Sequence, residues 1–81
     1  MVDMTPTYTE PVLALMACSD DVVPAYMIAP ILKMKPDVMI KYAKEGKWRT
    51  EICNYVVSGE GKGAHVKFFR IDFLKKGGWI S

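Results

Sequence analysis

Residues 35–48 carry signals for both ends of a helix, and no other stretch of the sequence limits the fold as strongly. Pro36 suits the first position of a helix, because its missing N–H would have no partner there and its φ is already helical. Gly46 can adopt the left-handed conformation with which many helices end. The apolar side chains that share one face are Met39, Tyr42 and Ala43. The stretch therefore predicts a helix that packs on this face.

Charged side chains occupy the other faces of the predicted helix. Asp37 lies in the first turn, where a carboxylate complements the positive end of the helix dipole. Lys41 and Lys44 lie near the negative end, which favours cations. A helix with one apolar face and several exposed cations is suited to lie in a groove of DNA. We therefore interpret residues 35–48 as a recognition helix.

Positive charge is confined to the later part of the sequence. Residues 1–32 contain four carboxylates and no Lys or Arg, which gives a net charge of −4. Residues 33–81 contain eleven Lys and Arg and five carboxylates, which gives +6, and the two parts together give the +2 of the whole chain. Such a basic segment predicts contact with a polyanion, since each cation brought to a phosphate releases counterions. An ordinary solvated, lysine-rich surface is the alternative.

The length of 81 residues allows one small domain with a single core. The two cysteines, Cys18 and Cys53, are 35 positions apart, and the chain has one histidine and no CxxC motif. We therefore expect reduced thiols, no metal site and no cofactor. The longest apolar run, residues 12–18, is too short to span a membrane and lacks the basic flank of a signal peptide. These features predict a cytoplasmic protein without a membrane partner.

The segment before the recognition helix predicts further short elements. Residues 10–18 contain strong helix formers, which favours a buried helix, although a strand fits a run of seven apolar residues equally well. We expect this segment to pack on the rest of the domain rather than to form a dimer contact.

A helix is also predicted from residue 22 or 24 to about residue 33. Its N-cap candidates are Ser19, Asp20 and Asp21, and its apolar faces include Tyr26, Ile28 and Leu32. Pro30 predicts a kink, or a helix that begins only at Pro30, because a proline inside a helix removes a hydrogen bond. Residues 33–35 then form a connection of helix-turn-helix length, with Met34 as its buried residue.

A β-hairpin is predicted in the later part of the chain. Residues 52–58 and 64–69 are rich in β-branched and aromatic side chains, and three glycines lie within residues 59–63 between them. The glycine stretch lacks the spacing of a phosphate-binding loop and is not followed by a helix. Residues 71–76 then predict a short final helix that ends at Gly77.

The predicted order of helix, tight turn, helix, hairpin and short helix, together with the residues that form it, resembles the excisionase and MerR-like winged-helix family. Residues 27–48 align without a gap to the family pattern, and Glu45, Gly46 and Lys47 are the most specific match. Residues 66–74 resemble the strand and helix with which the family pattern ends. The resemblance implies an α+β fold: a small winged helix-turn-helix domain at residues 21–81, with a two-stranded wing and an N-terminal extension at residues 1–20 that packs on the core.

The function implied by this resemblance is binding to double-stranded DNA. The family includes excisionase-like recombination directionality factors of phages and mobile elements, and small transcriptional regulators, which places the protein in a bacterial or phage-infected cell. A recombinase or integrase, and a second copy of the chain on DNA, are the further partners that this interpretation allows. The alternative is a winged-helix module that binds a recombinase or replication protein through protein–protein contacts.

The residues expected to contact DNA come from the recognition helix and from the wing. They are Lys35, Asp37, Val38, Ile40, Lys41, Lys44, Lys62, His65 and Lys67. Catalysis is not expected, because Glu60, His65 and Asp72 have no spacing that implies proton transfer and Cys53 has no base nearby in the sequence.

Overall fold

The computed structural model of the chain describes residues 8–80, except for the side chain of Lys62. Its described part has four α-helices and one antiparallel sheet of three strands, so the predicted α+β class is confirmed. The elements in chain order are α1 (Glu10–Ala17), β1 (Val22–Pro24), α2 (Ala25–Leu32), α3 (Pro36–Lys44), β2 (Tyr55–Ser58), β3 (His65–Phe69) and α4 (Arg70–Lys76). A single 3-10 turn, Gly61–Gly63, lies between β2 and β3.

The sheet has the order β1-β3-β2, with β3 in the centre. The predicted hairpin is confirmed, since Tyr55 pairs with Phe68 and Ser58 with His65. The sequence does not predict the third strand, β1, which pairs antiparallel with the other side of β3, with Val23 opposite Phe68. Its two valines suit a strand, and Pro24 ends it because proline cannot donate to the ladder.

The start and the cap of α2 differ in part from the prediction. The helix spans Ala25–Leu32, so the predicted start at residue 22 is wrong because that residue lies in β1, while the alternative start at Pro24 is one residue from the observed one. The helix continues through Pro30, so it does not begin there. Its N-cap is Pro24 and makes no side-chain capping bond. Asp20 and Asp21 lie before β1, too far along the chain to cap α2, and their backbone carbonyls instead accept hydrogen bonds from Arg70.

The tight connection from α2 to α3 is confirmed. Lys33 has the left-handed conformation, with φ of 57°, and the N–H of Met34 donates to the Ala29 carbonyl at 3.1 Å, which closes the end of α2. α3 begins at Pro36, and Gly46 follows it with φ of +72°, as the sequence predicts. Met34 is half-buried, so it packs on the core without being fully enclosed.

The buried face of α3 differs from the prediction at one position. Met39 and Ala43 are buried as predicted, but the side chain of Tyr42 is 42% exposed. Pro36 and Ile40 are half-buried instead, so the core-facing stripe follows positions i, i+3, i+4 and i+7 from Pro36. Tyr42 falls on the flank of this stripe.

One hydrophobic core lies between the helices and one face of the sheet. Its largest fully buried side chains include Leu15, Ile28, Met39, Phe68 and Leu74. α1 contributes Leu15 to this cluster and packs on α2, so the helical interpretation of residues 12–18 is right and the strand interpretation is wrong. Among residues 8–80, the longest helix has nine residues, and none has the length and apolar character that crossing a bilayer requires.

Candidate nucleic-acid interface

A groove runs between the side of α3 and the first half of β3. It has a volume of about 280 Å³. We call it the basic groove. The residues that line it are Pro24, Ala25, Tyr26, Pro36, Ile40, Lys44, Ala64, His65, Val66 and Lys67. The volume lies just below the range of roughly 300–1,000 Å³ that is usual for small-molecule pockets. The two lysines of its lining, Lys44 and Lys67, are exposed to solvent. It is therefore better suited to a large, charged partner than to an enclosed ligand.

The position of the basic groove follows from the early end of β1. β1 stops at Pro24, opposite Lys67, and the chain then turns into α2. β3 extends two residues further from this pairing, to His65, and so passes beyond the end of β1. α3 contributes Pro36, Ile40 and Lys44, which are spaced four residues apart and therefore lie along one side of the helix.

Four of the residues that the sequence predicts for DNA contact come together here. Ile40 and Lys44 from α3 and His65 and Lys67 from β3 all line the basic groove. The side chains of Lys44, His65 and Lys67 are exposed, whereas Ile40 is half-buried. The alternation along β3 explains the strand residues, because Val66 and Phe68 face the core and their neighbours face outwards.

The other predicted contact residues lie outside the basic groove. Lys35, Asp37 and Lys41 are exposed on α3, and Val38 is half-buried. Asp37 and Lys41 are one turn apart on the same side of the helix, so Asp37 places a negative charge next to the cations. The backbone of residue 62 lies in the turn Gly61–Gly63, and the predicted role of the Lys62 side chain lies outside what the structure describes.

The described basic side chains differ in whether they pair with a carboxylate. Lys47 lies near Glu45 at 3.7 Å, Arg49 pairs with Glu51 at 2.9 Å, and Lys76 pairs with Asp72 at 3.0 Å. In contrast, no carboxylate among residues 8–80 forms an ion pair with the predicted DNA contacts Lys35, Lys41, Lys44 and Lys67. These four exposed cations are thus available to an external anion.

Sequence reasoning missed Tyr26, which lines the basic groove and whose side chain is 66% exposed. The sequence assigns it to an apolar face of α2, and this is wrong. The buried face of α2 comprises Ala25, Ile28 and Ala29, and Tyr26 lies about 160° from Ile28 around the helix axis. The stripe of Ala25, Ile28, Ala29 and Leu32, at positions i, i+3, i+4 and i+7, is the signal that could have identified Tyr26 as exposed.

The Cys53 thiol and the Asp72 carboxylate belong to residue types that often act in catalysis, but here both are held by contacts within the fold. Cys53 is fully buried, and burial raises the pKa of its thiol to about 11, so it remains protonated at neutral pH. Asp72 accepts hydrogen bonds from the Asn54 N–H and from Lys76. Over the described range 8–80, no three His, Cys, Asp or Glu side chains come close enough together to hold a metal ion.

Comparison of the chain with protein-family models, with curated proteins and with solved structures finds no match. The resemblance to the excisionase and MerR-like family therefore stays a prediction that depends on the residues quoted above. What the chain can bind has to be argued from the basic groove and from the charge around it.

Proposed function

We propose that the chain is a double-stranded DNA-binding protein of winged-helix type, in which α3 lies in the major groove and the β2–β3 hairpin contacts the backbone or an adjacent minor groove. The observation that carries this proposal is the basic groove, where Lys44 of α3 faces His65 and Lys67 of β3. Cations from two elements thereby line one surface, as an interface with a phosphate backbone requires.

The dimensions and position of α3 support the same proposal. An α-helix with its side chains is about 10–12 Å wide, and the major groove of DNA is about 12 Å wide. Lys41 and Lys44 are exposed on α3 and Lys35 is exposed at its N-cap, while the stripe that contains Met39 and Ala43 packs on α2 and the sheet. The three-residue connection between α2 and α3 matches the turn of a helix-turn-helix.

The biological role that we propose comes from the family resemblance. It is that of an excisionase-like recombination directionality factor, or of a small transcriptional regulator. Either role needs a protein that holds DNA in a defined geometry and leaves the chemistry to a partner such as a recombinase.

A salt titration tests the proposal. Binding to a fluorescently labelled duplex of about 25 base pairs is measured by anisotropy between 50 and 200 mM KCl, and log K is plotted against log salt concentration. Lys44→Ala and Lys67→Ala should each weaken binding and reduce the slope by about 0.9 for one lost phosphate contact. Lys75→Ala is the matched control, since Lys75 is exposed on α4 and does not line the basic groove.

Equal effects of all three substitutions would show non-specific charge attraction, and no binding by the unaltered protein at 50 mM KCl would refute the proposal. Genomic fragments retained by the protein can then be sequenced to identify a preferred site.

A protein–protein interaction module is the second candidate. It is favoured by α1, where the apolar side chain of Leu13 is 51% exposed. This helix carries one charged residue, Glu10, so its exposed surface is mainly apolar. An apolar contact of this kind would bind a recombinase or replication protein with little dependence on salt, because screening weakens only the charged contribution. The salt titration therefore separates the two candidates.

A further inference from the structure

A second groove lies at the other end of β3 from the basic groove. It has a volume of about 590 Å³, more than twice that of the basic groove. We call it the acidic–aromatic groove, and the residues that line it are Asp21, Asn54, Tyr55, Phe69, Ile71 and Asp72. Its volume lies within the range of about 300–1,000 Å³ that is usual for binding sites. Nothing in the proposed contact with DNA uses these residues.

Two large apolar side chains of this groove are exposed to solvent. Phe69 is 38% exposed and Ile71 is 36% exposed. Phe69 follows the buried Phe68 on β3 and so faces away from the core. Ile71 lies in the first turn of α4, whose buried residues include Phe73 and Leu74. The fold therefore presents two neighbouring apolar side chains to solvent at the strand-to-helix junction.

The carboxylates of the groove retain free acceptor capacity. One oxygen of Asp72, Oδ2, accepts the Asn54 N–H at 2.7 Å and also pairs with Lys76 at 3.0 Å. The other oxygen, Oδ1, accepts no hydrogen bond from any of the residues 8–80. The Asp21 carboxylate likewise has no partner in that range, since only its backbone carbonyl is engaged, by the Arg70 N–H. Negative charge thus borders the apolar surface on a chain of net charge +2.

We propose that the acidic–aromatic groove binds a segment of a partner protein that presents an arginine next to an apolar side chain. A guanidinium group stacks on an exposed aromatic ring such as that of Phe69, and it donates in a planar fork that fits a carboxylate such as Asp21. The apolar neighbour of the arginine covers Phe69 and Ile71. Lysine fits less well, because its ammonium group is more strongly hydrated and cannot donate to a carboxylate in this planar arrangement.

The position of this groove leaves the basic groove free. Phe69 and His65 are at opposite ends of β3, four residues apart, which corresponds to about 13 Å along a strand. A partner with an arginine is attracted to the unpaired Asp21 carboxylate and repelled by Lys44 and Lys67, whereas Asp72 is already paired with Lys76, so charge favours the acidic–aromatic groove over the basic groove. The proposed DNA contact and the arginine-bearing partner can therefore bind at the same time, and this inference does not depend on the proposed function.

The probe for this inference is the blocked tripeptide acetyl-Leu-Arg-Leu-amide, added to the uniformly ¹⁵N-labelled full chain and followed by NMR. The expected result is saturable shifts of the backbone amides of Asp21, Asn54, Phe69, Ile71 and Asp72. The matched control peptide has citrulline in place of arginine, which keeps the shape and removes the charge. It should bind at least about tenfold more weakly, as expected when a charged hydrogen-bonding pair is lost.

Variants of the chain locate the contact. Asp21→Asn should lower the affinity for the arginine peptide about fivefold to tenfold. The variant protein should still fold, because the carboxylate has no partner within residues 8–80. Asp37→Asn is the control, since Asp37 is an exposed carboxylate on α3. Equal binding of the arginine and citrulline peptides, equal binding of a lysine peptide, or shifts confined to other residues would overturn the proposal.

Discussion

The side chain of Arg70 donates a hydrogen bond from Nη1 to the backbone carbonyl of Leu15 at 3.2 Å, across 55 positions of the sequence. The same nitrogen approaches the Met16 carbonyl at 3.5 Å, and Nε donates to the Asp20 carbonyl at 2.7 Å. Leu15 and Met16 lie in the last turn of α1, where unpaired carbonyls favour a cation. Arg70 is only 9% exposed, so this cation of the basic segment stabilises the fold and is not available to DNA.

Arg70→Met should lower the free energy of unfolding by about 2–4 kcal/mol, because it leaves carbonyls at the end of α1 without a donor. Urea denaturation followed by circular dichroism measures the change. Lys75→Met, at an exposed position of α4, is the control and should change stability by less than about 0.5 kcal/mol. A loss of similar size in both variants would contradict the structural role of Arg70.

Gly77→Ala should disturb the packing of Trp79. A Cβ atom at position 77 would lie 1.9 Å from the Trp79 ring, which stacks on Phe73 with centroids 5.4 Å apart. The ring must move, so we expect a loss of about 1–3 kcal/mol, as for other overpacked sites, and an altered near-ultraviolet circular dichroism spectrum. Gly63→Ala is the matched control, because a Cβ atom there meets nothing within 4 Å. An unchanged spectrum for Gly77→Ala would show that the ring is not held against Phe73.

Alkaline pH should destabilise the protein through Cys53. Burial raises the pKa of its thiol from 9.0 to about 11, so the folded state keeps a proton that the unfolded state loses. This contribution to stability is full below pH 9 and is lost as the pH rises from 9 towards 11. The unfolding free energy of Cys53→Ala should therefore fall less steeply with pH over this interval than that of the unaltered chain. Parallel pH profiles would contradict this prediction.

Acid pH should destabilise the protein through Asp72. Partial burial opposes its charge, but the Asn54 N–H and Lys76 outweigh that effect and lower the pKa of the carboxyl below 3.8. A lowered pKa contributes stability that is full above the unfolded value of 3.8 and is lost as the pH falls below it. Asp72→Asn should therefore flatten the stability profile between pH 4.5 and 2.5, at a cost of about 1 kcal/mol at neutral pH.

Loss of the hairpin tip should weaken DNA binding without unfolding the helices, if the proposed function holds. Deleting the turn Gly61–Gly63 should reduce affinity and lower the salt slope by about one unit for the lost Lys62 contact. Lys62→Ala removes the charge but keeps the length of the loop, and it should lower the salt slope by the same amount as the deletion. A slope that changes in neither variant would mean that the tip does not reach a phosphate.

Local signals explain which elements the sequence predicts well. The bounds of α3 depend on Pro36 and Gly46, and both act through their own backbone geometry. The hairpin depends on β-branched residues on either side of a glycine-rich tip, where Gly59 and Gly61 have positive φ. These preferences belong to the residues themselves and do not depend on contacts with distant segments. They can therefore be predicted without knowledge of the tertiary structure.

β1 and the composition of the basic groove depend on contacts between distant segments. Val22–Pro24 is a strand only because β3, more than 40 positions later, pairs with it. The sequence predicts Lys44, His65 and Lys67 individually, but their common groove depends on where β1 ends. The helical spacing predicts apolar faces that include Tyr26 and Tyr42, but both side chains are exposed, because a tyrosine can lay its ring on the surface with its polar end in water.

The alternation of β3 limits how this chain can change over evolution. Val66 and Phe68 point into the core, while His65, Lys67 and Phe69 form parts of the two grooves. Inserting or deleting a single residue within this strand would exchange the two sets, placing Lys67 inside and Phe68 outside. New binding properties can therefore arise by substitution at positions 65, 67 and 69, whereas a change of length within this hairpin is better tolerated in its glycine-rich tip than in β3.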